Sequence, residues 1–220
     1  MHTHEEDTRA RRRERNAEWE RRYAETDRFW SHRVNPTFAD VAGPLPSGTA
    51  LEIGCGEGPD AIWLAERGWR VTGLDVSATA VARARAAATE RGLGEERVSF
   101  LTGDAAEALP AGPFDLVAAT FLHSWEPDFP RIAILRAAAE RVDVGGRLLI
   151  ISHAAVPPWV RDPPAHVPAM RTPAEELPLL GLDATAWDPE IVEVRPRATH
   201  DPDGHPALLD DGVLLLRRRG

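Results

Sequence analysis

A short glycine-rich segment, GCGEG at residues 54–58, holds the residue types best suited to binding a ligand through the backbone. It follows the apolar run TALEI, and Pro59 comes next, at a position typical of the first turn of a helix. Glycines permit positive φ angles and let a ligand lie directly against the backbone, close to a helix N-terminus. A segment of this kind also binds dinucleotides or serves only as a turn, so the glycines alone leave the ligand open.

Carboxylates stand near three successive apolar runs and narrow the kind of ligand. Asp75 closes the run WRVTGLD, 21 residues after Gly54, where a carboxylate can accept hydrogen bonds from both hydroxyls of a ribose. Asp104 follows the next run, in SFLTGDAAE, where it could reach the exocyclic amine of an adenine. Together with Glu52 or Glu57, these side chains predict a site for a positively charged adenosine, because the same carboxylates would repel a phosphate.

Two histidines follow central apolar runs, His123 in AATFLHS and His153 in LIISHA. Histidine titrates near neutral pH and can take a proton from an amine, thiol or hydroxyl nucleophile. We therefore treat both as candidate general bases at the rim of the same pocket. The alternative is that each packs or hydrogen-bonds at a strand end, in which case the substrate must already be nucleophilic.

The elements that would position these residues are short, nearly continuous apolar runs that alternate with alanine-rich amphipathic stretches. This alternation predicts a parallel sheet covered by helices on both faces. We expect an N-terminal helix over about 5–26, further helices over 59–67, 77–91 and 130–142, and a short helix near 173–180. Two more strands, about 190–195 and 211–218, flank the turn signal DPDG and should form an antiparallel pair.

Composition limits the classes of function. The chain of 220 residues carries 26 arginines and no lysine against 35 acidic residues, and its net charge of −9 argues against a surface that binds nucleic acid. The single cysteine, Cys55, excludes a disulfide framework, and no CxxC or HExxH spacing indicates a metal site. Since no apolar run reaches about 18 residues, we expect no membrane span and a cytoplasmic protein.

The motifs around these residues resemble those of the class I S-adenosylmethionine-dependent methyltransferases, in the small-molecule branch that includes tellurite-resistance and thiopurine-type enzymes. The similar pieces are LEIGCGEGPDAIWLAERGWRVTGLDVSATAVARAR, TGDA, FDLVAATFLHS and VDVGGRLLIISHA. The resemblance implies a doubly wound, Rossmann-like α/β fold, in which a seven-stranded and mostly parallel sheet has an antiparallel last strand. It also implies that S-adenosylmethionine lies across the carboxyl ends of the first strands.

The same resemblance assigns residues to the cofactor. Asp75 would hold the ribose, Asp104 with Ala105 would read the adenine edge, and Thr120 and Phe121 would lie under the sulfonium. Gly54, Gly56 and Gly58 would contact the methionine moiety through their backbone, and Glu52 would orient the loop. The alternative for Glu52 is a hydrogen bond to its own turn. The full set of cofactor-binding residues that the resemblance implies is Trp30, Glu52, Gly54, Cys55, Gly56, Gly58, Asp75, Val76, Asp104, Ala105, Thr120 and Phe121.

The predicted organisation is one domain over 1–220, with a helical lid region over 1–45, a cofactor-binding core over 46–155 and a proline-rich acceptor region over 156–220. The predicted function is methyl transfer to a nitrogen, oxygen or sulfur atom of a small molecule, with no nucleic acid and no membrane as partner. One alternative is a protein that binds S-adenosylmethionine without methylating. Another is a nicotinamide-dependent oxidoreductase, which the GxGxG spacing in place of GxGxxG disfavours.

Overall fold

The structure, a computed structural model, describes residues 2–27, 33–124, 128–161 and 170–220, with side chains from residue 6 onward. Its strands are β1 (Thr49–Ile53), β2 (Arg70–Asp75), β3 (Val98–Thr102), β4 (Phe114–Thr120), β5 (Val142–His153), β6 (Trp187–His200) and β7 (Pro206–Arg218). They form one sheet in the order β3-β2-β1-β4-β5-β7-β6. Strand β7 runs antiparallel to both of its neighbours, β5 and β6, and the other described pairs are parallel, so the predicted doubly wound fold with an antiparallel last strand is confirmed.

The helices are α1 (His2–Ala24), α2 (Pro36–Ala42), α3 (Pro59–Glu66), α4 (Ala78–Glu90), α5 (Arg131–Ala139) and α6 (Pro173–Glu176), which continues as a 3-10 turn over Leu177–Leu180. The sequence predicts all of these except α2. That short helix begins at a cap, where the Asn35 side chain accepts a hydrogen bond from the Phe38 amide at 3.0 Å and Pro36 takes the first position. Among the described residues, no helix combines the length and apolar composition that a membrane span requires.

Apolar side chains fill both faces of the sheet. Leu116 and Ala118 of β4 pack on one side with residues of α2, α3 and α4, whereas Val117 and Ala119 pack on the other side with residues of α5. Neighbouring residues of a strand point to opposite faces, so a strand buried on both sides must be apolar at every position. The prediction from the continuous apolar runs, that helices cover both faces of the sheet, is therefore confirmed.

The β6–β7 hairpin is longer than the sequence predicts, because the expected strands 190–195 and 211–218 extend to 187–200 and 206–218. Pro189 and Pro196 lie within β6, and proline weakens the sequence signal for a strand. They are tolerated because β6 is an edge strand, where a missing amide donor costs no hydrogen bond on the open side. The predicted DPDG turn is confirmed, with Asp201 accepting hydrogen bonds from the amides of Asp203 and His205.

Candidate functional site

A cavity of about 450 Å³ opens at the point where the strand order reverses between β1 and β4. Ligands of open α/β sheets bind in this crevice, outside the carboxyl ends of the strands. The structure brings most of the predicted site residues to its wall, namely Glu52, Gly54, Cys55, Gly56, Asp75, Val76, Asp104, Ala105, Thr120, Phe121, His123 and His153. Of the other two, Gly58 is not part of the described wall, and Trp30 lies outside the described residues.

The glycine-rich loop is held against β2 by its backbone. The amides of Gly54 and Cys55 both donate to the Leu74 carbonyl, at 2.8 and 3.1 Å. A Cβ on Gly58 would lie 2.8 Å from the Phe100 ring, so this glycine permits close packing of the loop against β3. The conformation requires glycine, because φ angles of 72°, 54° and 78° occur at Gly54, Gly56 and Gly58.

Asp75 connects the end of β2 to this loop. Its Oδ2 accepts a hydrogen bond from the Gly56 amide at 2.8 Å, and its Oδ1 accepts one from the Ser77 amide at 2.9 Å. Burial raises the pKa of Asp75, while these amide donors act in the opposite direction. The carboxyl group is therefore fixed in orientation at the cavity wall, which suits hydrogen bonding to ligand hydroxyls.

Two more buried carboxyl groups, those of Glu52 and Asp60, line the same cavity. Asp60 accepts a hydrogen bond from the Asn35 amide at 2.8 Å, whereas no described residue hydrogen-bonds to Oε2 of Glu52. Burial raises the pKa of Asp60 to about 7. Burial, with the charge of Asp60 adding to it, raises the pKa of Glu52 well above its usual value. A cationic ligand would stabilise both carboxylates, since it would supply the charge partner that they lack in this wall.

Helix α1 supplies a part of the wall that the sequence does not predict residue by residue. Arg15, Asn16, Trp19 and Tyr23 line the cavity. Asn16 donates a hydrogen bond to Oδ2 of Asp104 at 2.8 Å, and Nη2 of Arg15 lies 3.6 Å from the same oxygen. The sequence predicts the helix itself, and the structure shows that the side carrying Trp19 and Tyr23 faces the cavity.

Glu20 fastens α1 to the start of α4. Its Oε2 accepts a hydrogen bond from the Ser77 hydroxyl at 2.6 Å and a longer one from the Thr79 amide, while its Oε1 accepts from the Thr79 hydroxyl at 2.5 Å. The hydrogen bond from Ser77, followed by that from the Thr79 side chain, lowers the pKa of Glu20. An anion at a helix N-terminus is also favoured by the helix dipole, so this contact holds α1 over the cavity.

The two predicted histidines lie together at the end of β4 and β5, with ring centroids 5.8 Å apart. Nδ1 of His123 is 2.5 Å from the Phe121 carbonyl, and because a carbonyl only accepts, Nδ1 must carry the proton. Phe121 has a φ of 51°. Its ring stacks on that of His153, with the two ring centroids 4.4 Å apart. Burial lowers the pKa of His123, and burial together with the charge of His123 lowers the pKa of His153 to about 4. Both rings are therefore neutral at neutral pH.

Arg197 of β6 brings a positive charge to the histidine end of the cavity, which the sequence does not reveal. Its Nε lies 2.7 Å from Oδ2 of Asp211, a fully buried residue of β7, and the Thr37 hydroxyl donates to the same oxygen at 2.8 Å. The guanidinium lies 5.6 Å from the centroid of the Phe121 ring. Arg197 reaches this position only through the long β6–β7 hairpin, whose length and register the sequence does not fix.

Two further groups add no reactive side chain to the cavity wall, namely the Cys55 thiol and a cluster of possible metal ligands in the β6–β7 turn. Burial raises the pKa of the Cys55 thiol well above its usual value, so the thiol stays protonated and is a weak nucleophile. Among the described residues, Asp201, Asp203 and His205 have side-chain atoms close enough to hold a metal ion, but they lie in the β6–β7 turn. That the site works without a metal stays a prediction.

The strand order, the antiparallel last strand and the glycine-rich loop at the switch point together define a class I S-adenosylmethionine-dependent methyltransferase fold. Residues 50–146 match the family described as a methyltransferase domain. Residues 50–146 are therefore similar to methyltransferase domains, in agreement with the resemblance that the sequence motifs carry.

Several known proteins are similar to this chain. Nocamycin O-methyltransferase of Saccharothrix syringae is 40% identical over 108 residues, which are 47% of this chain and 38% of that protein. TehB from Haemophilus influenzae shares the fold with a TM-score of 0.64 at 18% identity, over 85% of this chain and 63% of that one. Magnesium protoporphyrin IX methyltransferase from Synechocystis PCC 6803, solved with bound S-adenosylmethionine, has a TM-score of 0.57 at 22% identity, over 84% of this chain and 76% of that one. The chain spans 34–64% of the length of its curated relatives.

Proposed function

We propose that the protein transfers a methyl group from S-adenosylmethionine to a small-molecule acceptor. The observation that carries the proposal is the set of buried carboxyl groups, Glu52, Asp60 and Asp75, beside the glycine-rich loop. No described arginine or histidine pairs with any of the three, so a ligand with a positive ammonium and a positive sulfonium would fit them. A dinucleotide would bring phosphates to the same carboxylates, which argues against the nicotinamide-dependent alternative.

The proposed cofactor contacts follow from where each group lies on the wall. The loop backbone at Gly54, Cys55 and Gly56 would receive the methionine moiety, and the carboxylates of Glu52 and Asp60 would receive its ammonium. Asp75 would hold the ribose hydroxyls. Val76 would flank the adenine, Asp104 with Ala105 would hold its edge, and Thr120 and Phe121 would lie near the sulfonium. Trp30 stays a predicted cofactor contact, and Gly58 supports the loop.

Catalysis by this chain would consist mainly of alignment, exclusion of water and removal of a proton. When bound, S-adenosylmethionine supplies an electrophilic methyl group on a positively charged sulfur. Helix α1 covers the cavity through Asn16 and Trp19, which limits access of water to that group. Since Nδ1 of His123 carries its proton, Nε2 is the ring nitrogen that would take the proton of the acceptor. The pKa of about 4 makes His153 a weak base.

Ligand binding tests the cofactor class. We expect S-adenosylhomocysteine to raise the thermal midpoint of the protein and to bind in calorimetry, whereas NAD at the same concentration does neither. Asp75→Ala should lose most of the affinity for S-adenosylhomocysteine, and Asp203→Ala, a change in the exposed β6–β7 turn, should keep it. Stabilisation by NAD without stabilisation by S-adenosylhomocysteine would refute the proposal.

A second experiment tests the role of His123. Asn in place of this residue can still donate a hydrogen bond to the Phe121 carbonyl through its amide, but it offers no basic nitrogen. With any acceptor that the wild type methylates, we expect His123→Asn to lower kcat by about 100-fold or more, with unchanged affinity for S-adenosylhomocysteine. His205→Asn, in the exposed hairpin turn, is the matched control and should keep full activity. Full activity of His123→Asn would make the residue a packing group.

The wider setting of the reaction is also a proposal. We propose a cytoplasmic location and an acceptor other than nucleic acid, and the net charge of −9 supports the second point. Retention of labelled duplex DNA or RNA by the protein at physiological salt would contradict it.

A further inference from the structure

We infer that the acceptor carries a single negative charge, in the form of a carboxylate, and that Arg197 receives it. This inference rests on the proposed methyl transfer, because it names the chemical class of the molecule that accepts the methyl group. It concerns the histidine end of the cavity, and of the residues proposed to contact the cofactor it uses only Phe121.

Arg197 lies on the acceptor side of the cavity rather than on the cofactor side. The glycine-rich loop and Asp75 follow β1 and β2, whereas Arg197 belongs to β6, which β4, β5 and β7 separate from β1 in the sheet. Its guanidinium lies beside Phe121, the first residue after β4, and it lines the same cavity as His123. The charge of Arg197 acts on His153, whose ring lies 5.8 Å from that of His123, so a group bound here would share this end of the cavity with the proposed base.

The hydrogen-bonding state of Arg197 leaves donors for a ligand. Nε is used by Asp211, and no described residue accepts a hydrogen bond from the two terminal nitrogens. The side chain is 18% exposed and forms part of the cavity wall, so these terminal N–H groups are open to a bound molecule. A guanidinium offers them in a planar fork that matches the two oxygens of a carboxylate.

The fixed position of Arg197 favours binding of this kind. Asp211 is fully buried and is itself held by the Thr37 hydroxyl, so the guanidinium is oriented before a ligand arrives. Positioning the donors in advance reduces the entropy that binding must overcome. Because Asp211 is buried, the guanidinium of Arg197 pairs with its carboxylate whether or not a ligand is present.

The charge balance favours one negative charge over two. The nearby rings of His123 and His153 are neutral, and the charge of Arg197 is already shared with Asp211. A phosphate dianion would therefore be poorly neutralised, whereas a carboxylate brings only one negative charge to this end of the cavity. The surrounding apolar side chains, Trp19, Phe121 and Leu209, fit a small apolar body attached to that carboxylate.

The experiment compares carboxylates with neutral amides of the same shape. Calorimetry on the protein saturated with S-adenosylhomocysteine would use two pairs of probes, benzoate with benzamide and 2-naphthoate with 2-naphthamide. We expect at least one carboxylate to bind about 10- to 100-fold more tightly than its amide, because a charge-assisted bidentate contact is lost in the amide. Arg197→Gln should abolish that preference and leave the affinity for S-adenosylhomocysteine unchanged.

Further variants keep the test informative if loss of one charge disturbs folding. Arg197→Gln with Asp211→Asn removes both charges and keeps an oxygen to accept from Thr37, so it should fold and should also lack the preference. Arg195→Gln, two residues earlier on the same strand and paired with Glu193, is the control and should keep the preference.

The possible outcomes separate this inference from the proposed function. Equal binding of carboxylate and amide by the wild type, including no binding of either, overturns the inference while leaving the cofactor proposal intact. A loss of S-adenosylhomocysteine affinity in Arg197→Gln that matches the loss of carboxylate affinity would also overturn it, because Arg197 would then serve the cofactor. Failure of the wild type to bind S-adenosylhomocysteine would instead refute the proposed function.

Discussion

Asp60 is a carboxyl group whose negative charge the fold makes costly to keep. Its side chain is 4% exposed in the first turn of α3, and burial raises its pKa from the usual value of 3.8 to about 7. An aspartate in the first turn of a helix is common on protein surfaces, so its sequence position gives no sign of this burial. The burial comes from the packing of α2 and the loop before it, which place the Asn35 amide on the carboxyl group.

The substitution Asp60→Asn tests this cost without the cofactor. A carboxyl group whose pKa is raised by folding stabilises the fold at pH values below its unfolded pKa, and this stability is lost as the pH rises through the folded pKa. The free energy of unfolding of the variant should therefore come close to that of the wild type near pH 4 and exceed it by about 4 kcal/mol at pH 8. Urea unfolding at both pH values measures the difference. Asp40→Asn, an exposed position on α2, should show no such gain, and equal stability of Asp60→Asn and wild type at pH 8 would contradict the assignment.

At the scale of elements, one face of α1 packs over the cavity, although the charged composition of the helix gives no sign of this contact. The helix is rich in arginine and glutamate, and Glu18 pairs with Arg22 at i, i+4 spacing. The other face carries Arg15, Trp19 and Glu20 toward the body of the protein, where they meet Asp104, His123 and the N-terminus of α4. A charged helix that covers a ligand site resembles a solvated helix in sequence, because its buried contacts are polar as well as aromatic.

Glu20→Ala should loosen this cover. The variant loses the acceptor for the Ser77 and Thr79 hydroxyls, so we expect faster hydrogen exchange in α1 and dissociation of S-adenosylhomocysteine that is about 10-fold faster. Stopped-flow displacement and hydrogen-exchange mass spectrometry measure the two effects. Glu18→Ala removes an exposed pair with Arg21 and Arg22 on the same helix and should change neither, since such pairs contribute little. Equal dissociation rates for the two variants would show that α1 does not retain the ligand.

At the scale of the whole molecule, the sequence predicts those parts of the structure that depend on residues close together in the chain. The buried parallel strands, the glycine-rich loop and the acids at the strand ends follow from apolar runs and from the residues that end them. Asp60, Asn16 and Arg197 reach the cavity from α3, α1 and β6, and no local pattern shows which side chains of these elements point inward. The sequence therefore predicts the cofactor side of the site better than the acceptor side, which depends on how distant segments pack.

The same packing concentrates buried negative charge in a protein that already has a net charge of −9, and this charge should couple cofactor binding to pH. Glu52 and Asp60 have raised pKa values in the protein without ligand, and a bound cation would lower them, so binding must release protons at pH values below about 7. We expect the Kd for S-adenosylmethionine to fall as the pH rises from 5.5 to 7.5, by up to about 10-fold per pH unit for each proton released.

Calorimetry measures this coupling directly, because the buffer takes up the protons that binding releases. The measured heat therefore differs between buffers of unequal ionisation enthalpy, and the difference gives the number of protons released. The range from pH 5.5 to 7.5 stays below the usual pKa of the α-amino group, so most of the ligand keeps its ammonium charge and all of it keeps the sulfonium charge. Asp60→Asn should flatten the dependence because it removes the group that titrates near pH 7, whereas Asp40→Asn should leave it unchanged. A Kd that is constant across this range in the wild type would mean that the buried carboxyl groups do not receive the cation, and would remove the main support for the proposed cofactor contacts.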